Sequence, residues 1–336
     1  MITRRWTRAR WAGGLLLGLL LGGAQAADLD PAPSASPDVL AFLQQVQDSA
    51  RQTDYTGLYV YQQGHQLLAF QLTHVLDGTG ERERLQVLDG PPRECLRQNG
   101  IEQCLYPKPK LVISQQARSD HFPALLLANA QSIIKHYDWQ PPVASDRVAG
   151  RECAVSDLKA RDDLRYSYRI CTDSQTHLLL KIQTLGPDGQ LIDQTAFSSI
   201  RQGADAQPVN LVPPWDTRSW RLVTEASAET DLQAQGWRFS LPAGFEPAAQ
   251  LVRQFGQRHA VNQFVISDGL AAISIFIETF DPERDQNIRQ GGLRQGAVNI
   301  YRMRLASYWL TAVGEVPEQT VQALVRTAQY VPQAAH

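Results

Sequence analysis

The chain has 336 residues, with 32 Lys and Arg against 34 Asp and Glu, and a formal net charge of −2. Proteins that bind nucleic acid need a basic face for phosphate. The overall balance argues against that class, although it leaves room for a local basic patch. A chain of this length is long enough for two domains with cores of their own.

Residues 1–26 are typical of a signal peptide. Four Arg precede an apolar stretch from Trp11 to Gly23, and Ala24-Gln25-Ala26 has the small residues of a cleavage site. The apolar stretch is shorter than the roughly 20 residues that cross a bilayer, and an uncleaved anchor is the alternative interpretation. Loss of the four Arg leaves a net charge of about −6. Residues 27–37, rich in Pro, Ser and Ala, predict a disordered leader.

Residues 38–202 predict a large antiparallel sheet. A helical pattern extends from Asp38, a candidate N-cap, to Gln52. About nine or ten segments with strand patterns follow, separated by Asp-Gly turns. Most neighbouring segments have no helix between them, so the strands should pair antiparallel. A second helical pattern follows Pro123 and extends to Trp139.

The first two cysteines predict a hairpin closed by a disulfide. Asn99-Gly100 is the strongest short-range hairpin signal, because a type I′ turn needs positive φ at both central residues. With these two residues as the loop, Cys95 faces Cys104 in a non-hydrogen-bonded pair. The Cα atoms of such a pair lie about 4.5 Å apart, a distance that a disulfide can bridge.

Cys153 and Cys171 predict a second disulfide. Both lie nine residues from Asp162, so strands on either side of a turn there would place the two cysteines opposite each other. The longer loop permits a bulge, and this register is therefore less fixed. Free thiols, or a metal or redox site, are the alternatives. Zinc and redox sites usually have two to four residues between neighbouring cysteines, whereas the two spacings here have eight and 17.

Residues 203–235 predict a linker with one strand from Ser219 to Thr224. Residues 236–332 predict a smaller α+β domain. Its clearest features are two strands about a Ser267-Asp268-Gly269 turn and a last helix that starts near Pro317.

The sequence contains no motif for catalysis, nucleotide binding or metal binding. The seven His are scattered, and Asp162-Asp163 is typical of a turn. We therefore expect no enzyme, no cofactor and no metal, although a triad assembled from distant residues would leave no local pattern.

The strands carry more apolar side chains than two or three helices can cover. A curved, incompletely covered sheet would leave a concave apolar surface suited to acyl chains, whereas full coverage as core is the alternative. The candidate lipid-binding residues are Leu58, Val60, Leu68, Phe70, Leu72, Leu85 and Val87, with Leu125 and Leu126 in a lid.

Four stretches carry a family resemblance: "LQVLDGPPRE", "RYSYRI", "SDGLAAISIFIE" and "AVGEVPEQTVQALVRTAQ". In this order they resemble the MucB/RseB family of periplasmic regulators, over residues 38 to 330. The resemblance implies an N-terminal half-open antiparallel β-barrel of the LolA/LolB type, with helices on one face, and a smaller C-terminal α+β domain.

The same resemblance implies a regulatory function in the periplasm. The C-terminal domain would bind the periplasmic part of a single-span anti-sigma factor of the MucA type and shield it from regulated proteolysis. Lipid or lipopolysaccharide would release it and so activate an envelope-stress or alginate sigma factor, and a homodimer is plausible. The resemblance itself supplies no residue-level site. The candidate partner contacts are residues of the C-terminal domain expected to be exposed, Tyr301, Arg302, Arg304 and Tyr308, and for each of them an ordinary strand or core position is the alternative. A lipid or lipoprotein carrier is the alternative, and an envelope hydrolase is a third class.

Overall fold

The computed structural model describes residues 37–117, 122–123, 130–206, 211–255 and 259–332. The predicted signal peptide and all of the leader except Pro37 lie outside these residues, as does the candidate lid at Leu125 and Leu126. None of the helices in the described ranges is long and apolar enough to cross a membrane.

The larger sheet has twelve strands. They are β1 (Tyr55–Gln63), β2 (Gln66–Asp77), β3 (Gly80–Val87), β4 (Arg93–Gln98), β5 (Ile101–Tyr106), β6 (Leu111–Gln116), β7 (Tyr137–Val148), β8 (Arg151–Ala160), β9 (Ser167–Asp173), β10 (Leu179–Leu185), β11 (Leu191–Gln202) and β12 (Arg221–Thr224). Their spatial order is β12-β6-β5-β4-β3-β2-β1-β11-β10-β9-β8-β7.

Short turns explain the antiparallel order of this sheet, because strands joined by a few residues can only pair antiparallel. Among the described strands, β12 and β6 form its one parallel pair. The edge strands β7 and β12 stand at opposite ends of the order and do not pair with each other, so the sheet is open. The predicted half-open antiparallel barrel is confirmed.

Two helices, α1 (Pro37–Gln52) and α2 (Ala130–His136), pack on the larger sheet. Val39, Leu43 and Val46 of α1 are buried in one core with Tyr55 and Leu72 of the sheet. The helix begins at Pro37, so Asp38 lies within α1 and is not its N-cap as predicted. The second helix ends earlier than predicted, because the last three expected residues, Tyr137–Trp139, belong to β7.

The smaller sheet has seven strands and its own core. They are β13 (Ala226–Glu229), β15 (Glu246–Phe255), β16 (His259–Ser267), β17 (Ala272–Thr279), β18 (Gly291–Gln295), β19 (Val298–Leu305) and β20 (Tyr308–Gly314). A two-stranded sheet of β14 (Trp237–Arg238) and β21 (Gln329–Tyr330) stands beside them. The helix α3 (Glu318–Arg326) starts after Pro317 as predicted, and its Val321, Leu324 and Val325 are fully buried.

The predicted linker carries one strand for each sheet. A short 3₁₀ helix, Gly203–Asp205, follows β11. After it, β12 adds to the edge of the larger sheet beside β6, and β13 pairs with β15 of the smaller one. The linker is therefore hydrogen-bonded to both sheets. The domain boundaries at residues 202 and 236 stay predictions.

Candidate functional site

The helix-facing side of the larger sheet carries an aromatic cluster. Tyr59 stacks on Phe70 at 4.9 Å, and Phe122 lies 5.2 Å from Tyr59 and 5.0 Å from Phe197, measured between ring centroids. Burial raises the pKa of the Tyr59 hydroxyl, with a further contribution from Glu83, so this phenol stays neutral. The cluster is part of the hydrophobic core between the larger sheet and the two helices.

Coverage by the helices is incomplete over β2 and β3. The pairing register places Phe70, Leu72, Leu85 and Val87 on the helix-facing side, and Leu68 lies on this side of β2 too. Leu72 is fully buried, whereas Phe70, Leu85 and Val87 are half-buried and Leu68 is 40% exposed. Five of the predicted lipid-binding residues therefore share one surface.

Leu58 and Val60 do not belong to that surface. Leu58 pairs with Gln71 and Val60 with Ala69, which places both side chains on the outer side of the sheet. The two-residue loop Gly64-His65 pairs Gln63 with Gln66, so even-numbered residues of β1 and β2 point to opposite sides. The register therefore separates Leu58 and Val60 from Phe70, and the length of this loop is the sequence signal for that separation. A role of Leu58 and Val60 in lipid binding stays a prediction.

Both disulfides are present. Cys95 pairs with Cys104 as predicted, with Cα atoms 4.0 Å apart, and Asn99 and Gly100 have the positive φ of the predicted turn. Cys153 bonds Cys171, but the register places Cys171 opposite Val155, so this bridge is diagonal and not directly cross-strand. Glu102 lies beside Cys95 and Cys104, yet bonded sulfurs offer no thiolate to a metal.

The four predicted partner contacts do not form one surface. Tyr301 is 8% exposed, packs in the core of the smaller sheet and accepts a hydrogen bond from Arg326. Tyr308 packs on the same core and lies 5.0 Å from the Tyr330 ring. Arg302 and Arg304 alternate with Tyr301 along β19 and therefore point to the other side of the sheet.

Arg302 and Arg304 are held by neighbours within the smaller sheet. Arg302 donates to Thr311, and the Arg304 guanidinium lies 3.5 Å from the centroid of Phe280. These contacts are those of structural residues, and a role of the four residues in binding a partner stays a prediction.

The junction of the two sheets contains a buried polar cluster that the sequence analysis did not identify. Arg165, which precedes β9, donates to Asp268 at 2.5 Å, to Asp162 at 2.9 Å and to the Ala243 carbonyl at 2.6 Å. Tyr137 donates to the same Asp268 at 3.1 Å. Neither Arg165 nor Asp268 has any solvent-exposed side-chain area.

The surroundings of the cluster keep Tyr137 neutral and Arg165 charged. Burial raises the pKa of Tyr137 well above its usual range, and Asp268 adds to the shift. Hydrogen bonds and charges from Asp162 and Asp268 outweigh burial and raise the pKa of Arg165. Arginine is well suited to this buried position, because its planar guanidinium stays charged and can donate hydrogen bonds to several acceptors at once. The arrangement joins the sheets and has no reactive group.

A cleft of about 720 Å³ lies between the sheets, on another part of the junction. The turn Gly186–Gln190 and Tyr166 form its wall in the larger sheet, and Arg294, Asn299 and Glu318 face them from the smaller part. Its volume lies in the range of small-molecule and peptide-side-chain sites.

The fold thus defines a class of protein: two β-sheets with separate cores, the larger one open and helix-covered on one side, joined through a buried polar junction. The model of the MucB/RseB N-terminal domain matches residues 38–215, and that of the MucB/RseB C-terminal domain matches residues 231–329. The chain belongs to the MucB/RseB family.

Two relatives match nearly the whole length of the chain. The sigma factor AlgU regulatory protein MucB of Pseudomonas aeruginosa is 29% identical over 328 residues, or 94% of this chain and 97% of that one. The sigma-E factor regulatory protein RseB of Escherichia coli K12 is 25% identical over 335 residues, or 95% of this chain and 97% of that one. These relatives are regulators of sigma factors.

A solved structure of MucB in complex with MucA(peri) matches with a TM-score of 0.66 and 26% identity, covering 89% of this chain and all of that one. The complex of Pseudomonas aeruginosa MucA and MucB matches with a TM-score of 0.67 and 25% identity, over the same shares. In both complexes the bound partner is MucA.

Proposed function

We propose that this protein is a periplasmic negative regulator of an envelope-stress or alginate sigma factor. It binds the periplasmic part of a single-span anti-sigma factor of the MucA type and shields it from regulated proteolysis. The observation that carries the proposal is the match of both sheets to MucB in complex with MucA, over 89% of the chain. Residues 236–332 would hold the partner, residues 203–235 act as linker, and residues 38–202 bind the effector.

Lipid or lipopolysaccharide is the proposed effector that releases the partner. The half-buried Phe70, Leu85 and Val87 offer an apolar surface of suitable kind for acyl chains. An effector can weaken partner binding only by its differential affinity for two arrangements of the protein. We infer that the two domains reorient on lipid binding about the linker, which would require the contacts of Arg165 to break.

A lipid or lipoprotein carrier is the second candidate, and the same half-buried surface of β2 and β3 favours it. A carrier would bind lipid without an anti-sigma partner and would have no use for the smaller sheet. Self-association as a homodimer is compatible with either function and is part of the proposal.

The test is a binding titration. Residues 27–336 would be titrated with a labelled periplasmic fragment of the anti-sigma factor, with and without lipopolysaccharide. We expect tight binding that lipopolysaccharide weakens. Binding of lipopolysaccharide without any binding of the fragment would support the carrier and contradict the regulator.

Domain reorientation can be tested with the same samples. Small-angle scattering profiles of the free and the lipid-bound protein should differ in their radius of gyration. If the profiles superimpose while the fragment is still released, lipid and partner compete directly for one surface.

A further inference from the structure

Asn299, one of the residues that line the cleft between the sheets, has a buried acceptor without a donor. Asn299 is 1% exposed, and its Nδ2 donates to the Val316 carbonyl at 2.8 Å and to the Tyr166 hydroxyl at 3.0 Å. These bonds fix the orientation of the amide, so Oδ1 is the atom left to accept. Among the described residues, Oδ1 has no hydrogen-bond partner. A buried acceptor of this kind is costly unless a ligand satisfies it.

The charges around Asn299 favour a ligand that carries a cation. Glu318, exposed at the start of α3, and Asp188 contribute two carboxylates to the cleft, against one guanidinium from Arg294. A Cβ at Gly292 would lie 2.6 Å from Glu318 Oε1, so this carboxylate rests directly on the backbone of β18. An ammonium or guanidinium group in the cleft could donate to both Asn299 and Glu318.

The strand beside the cleft has an open edge. β18 is the last strand in the order of the smaller sheet, and all five of its residues, Gly291–Gln295, are exposed. Arg294 belongs to this strand and lines the cleft, so a chain that paired with β18 would pass the cleft opening. Open edges of this kind accept an added strand from a partner, with pockets that select its side chains.

We propose that the edge of β18 and the cleft together bind an extended peptide segment that carries a Lys or Arg. The segment pairs with β18 through its backbone, and its basic side chain enters the cleft between Glu318 and Asn299. Arg294 donates to a backbone carbonyl of the segment, which accounts for a guanidinium in an otherwise acidic cleft. The mixture of charges also disfavours a purely anionic ligand. This inference goes beyond the proposed function and does not depend on it.

The test compares three fluorescent ten-residue peptides of alternating Val and Thr, with a central Lys, norleucine or Glu. Their binding to residues 27–336 is measured by anisotropy at low ionic strength. A charged hydrogen bond is worth a factor of about ten or more in affinity. We expect the Lys peptide to bind at least about tenfold more tightly than the norleucine peptide, and the Glu peptide to bind most weakly.

Three variants locate the preference. Glu318→Gln and Asn299→Leu should each remove most of the advantage of Lys over norleucine. Glu229→Gln, on the exposed strand at the other edge of the same sheet, is the matched control and should keep it. Asn299→Leu removes buried hydrogen bonds and could unfold the protein. Glu318 is exposed, so Glu318→Gln should fold and tests the site by itself. Equal affinities of the Lys and norleucine peptides, or no binding of either, would overturn the proposal.

Discussion

Arg165 and Asp268, 103 residues apart in the sequence, form an ion pair between the larger and the smaller sheet from which solvent is wholly excluded. Tyr137 shares Asp268, and Asp162 shares Arg165. Asp268, Asp162 and the Ala243 carbonyl therefore all accept hydrogen bonds from one guanidinium. If the two sheets move relative to each other, either Arg165 and Asp268 stay in contact or both charges become exposed to water.

Removing one partner of this pair should destabilise the protein strongly. Arg165→Met leaves the Asp268 carboxylate buried without its cation, a change that typically costs about 3–5 kcal/mol. We expect a fall of that size in the free energy of unfolding, measured by urea denaturation. The double variant Arg165→Met with Asp268→Leu should recover part of the loss, because no charge then stays buried.

The control is an exposed ion pair of the same chemistry. Arg218 and Asp216 lie 2.6 Å apart with side chains 90% and 61% exposed, and Arg218→Met should leave unfolding unchanged within error. If Arg165→Met is as mild as Arg218→Met, the buried pair contributes nothing to holding the sheets together.

The two disulfides should differ in what their loss costs. In the chain-entropy model, closing the nine-residue separation of Cys95–Cys104 stabilises by about 2–3 kcal/mol, and the separation of 18 for Cys153–Cys171 by about 3 kcal/mol. Cys153 and Cys171 are also buried in the main core, whereas Cys95 is half-buried. Replacing Cys153 and Cys171 by Ala should therefore cost more than replacing Cys95 and Cys104.

The measurement is the thermal midpoint of each double variant against the oxidised parent. A mild reductant should open Cys95–Cys104 first, because its Cys95 sulfur is the more accessible, and this order can be read by thiol labelling and mass spectrometry. An unchanged midpoint after both bridges are demonstrably open would contradict the assignment of a stabilising role.

Local signals account for what could be predicted. The Asn99-Gly100 turn fixes the register of its own hairpin, so Cys95 and Cys104 follow from a few residues of sequence. The strand β7 was not predicted, because Pro141 and Pro142 are poor strand residues. The sheet accepts them because β7 is an edge strand whose register is irregular between Gln140 and Ala144.

Long-range relationships could not be predicted. No local pattern relates Arg165 to Asp268, or Asn299 to Tyr166, because each pair is brought together only when the two sheets pack. The diagonal position of Cys153–Cys171 has a similar cause, since the turn between β8 and β9 is long enough for the register to shift by two residues.

The contribution of Asp285 to the stability of the protein should depend on pH in the acid range. Asp285 accepts hydrogen bonds from Arg284 and from the Asp281 amide, and these lower its pKa from 3.8 to about 2. A lowered folded-state pKa stabilises the protein above the unfolded-state value, and this stabilisation is lost as the pH falls from about 3.8 to about 2.

Urea unfolding of the parent and of Asp285→Asn between pH 5 and pH 2 tests this expectation. The parent should be the more stable at pH 5, and the difference between the two should shrink toward pH 2. A difference that stays constant over this range would mean that Asp285 does not titrate differently in the folded and unfolded protein.

The two sides of the larger sheet allow a matched test of lipid binding. Val87 is half-buried on the helix-facing side, and Leu58, 38% exposed, lies on the outer side. A carboxylate on an acyl-binding surface must be desolvated when the chain binds, which costs several kcal/mol unless it is paired. Val87→Glu should therefore reduce binding of a fluorescent fatty acid by at least tenfold, whereas Leu58→Glu should leave the dissociation constant unchanged. Circular dichroism would establish that both variants are folded. Equal losses in both variants would place the acyl chain elsewhere, and an unchanged Val87→Glu would remove the helix-facing surface as the site of the effector.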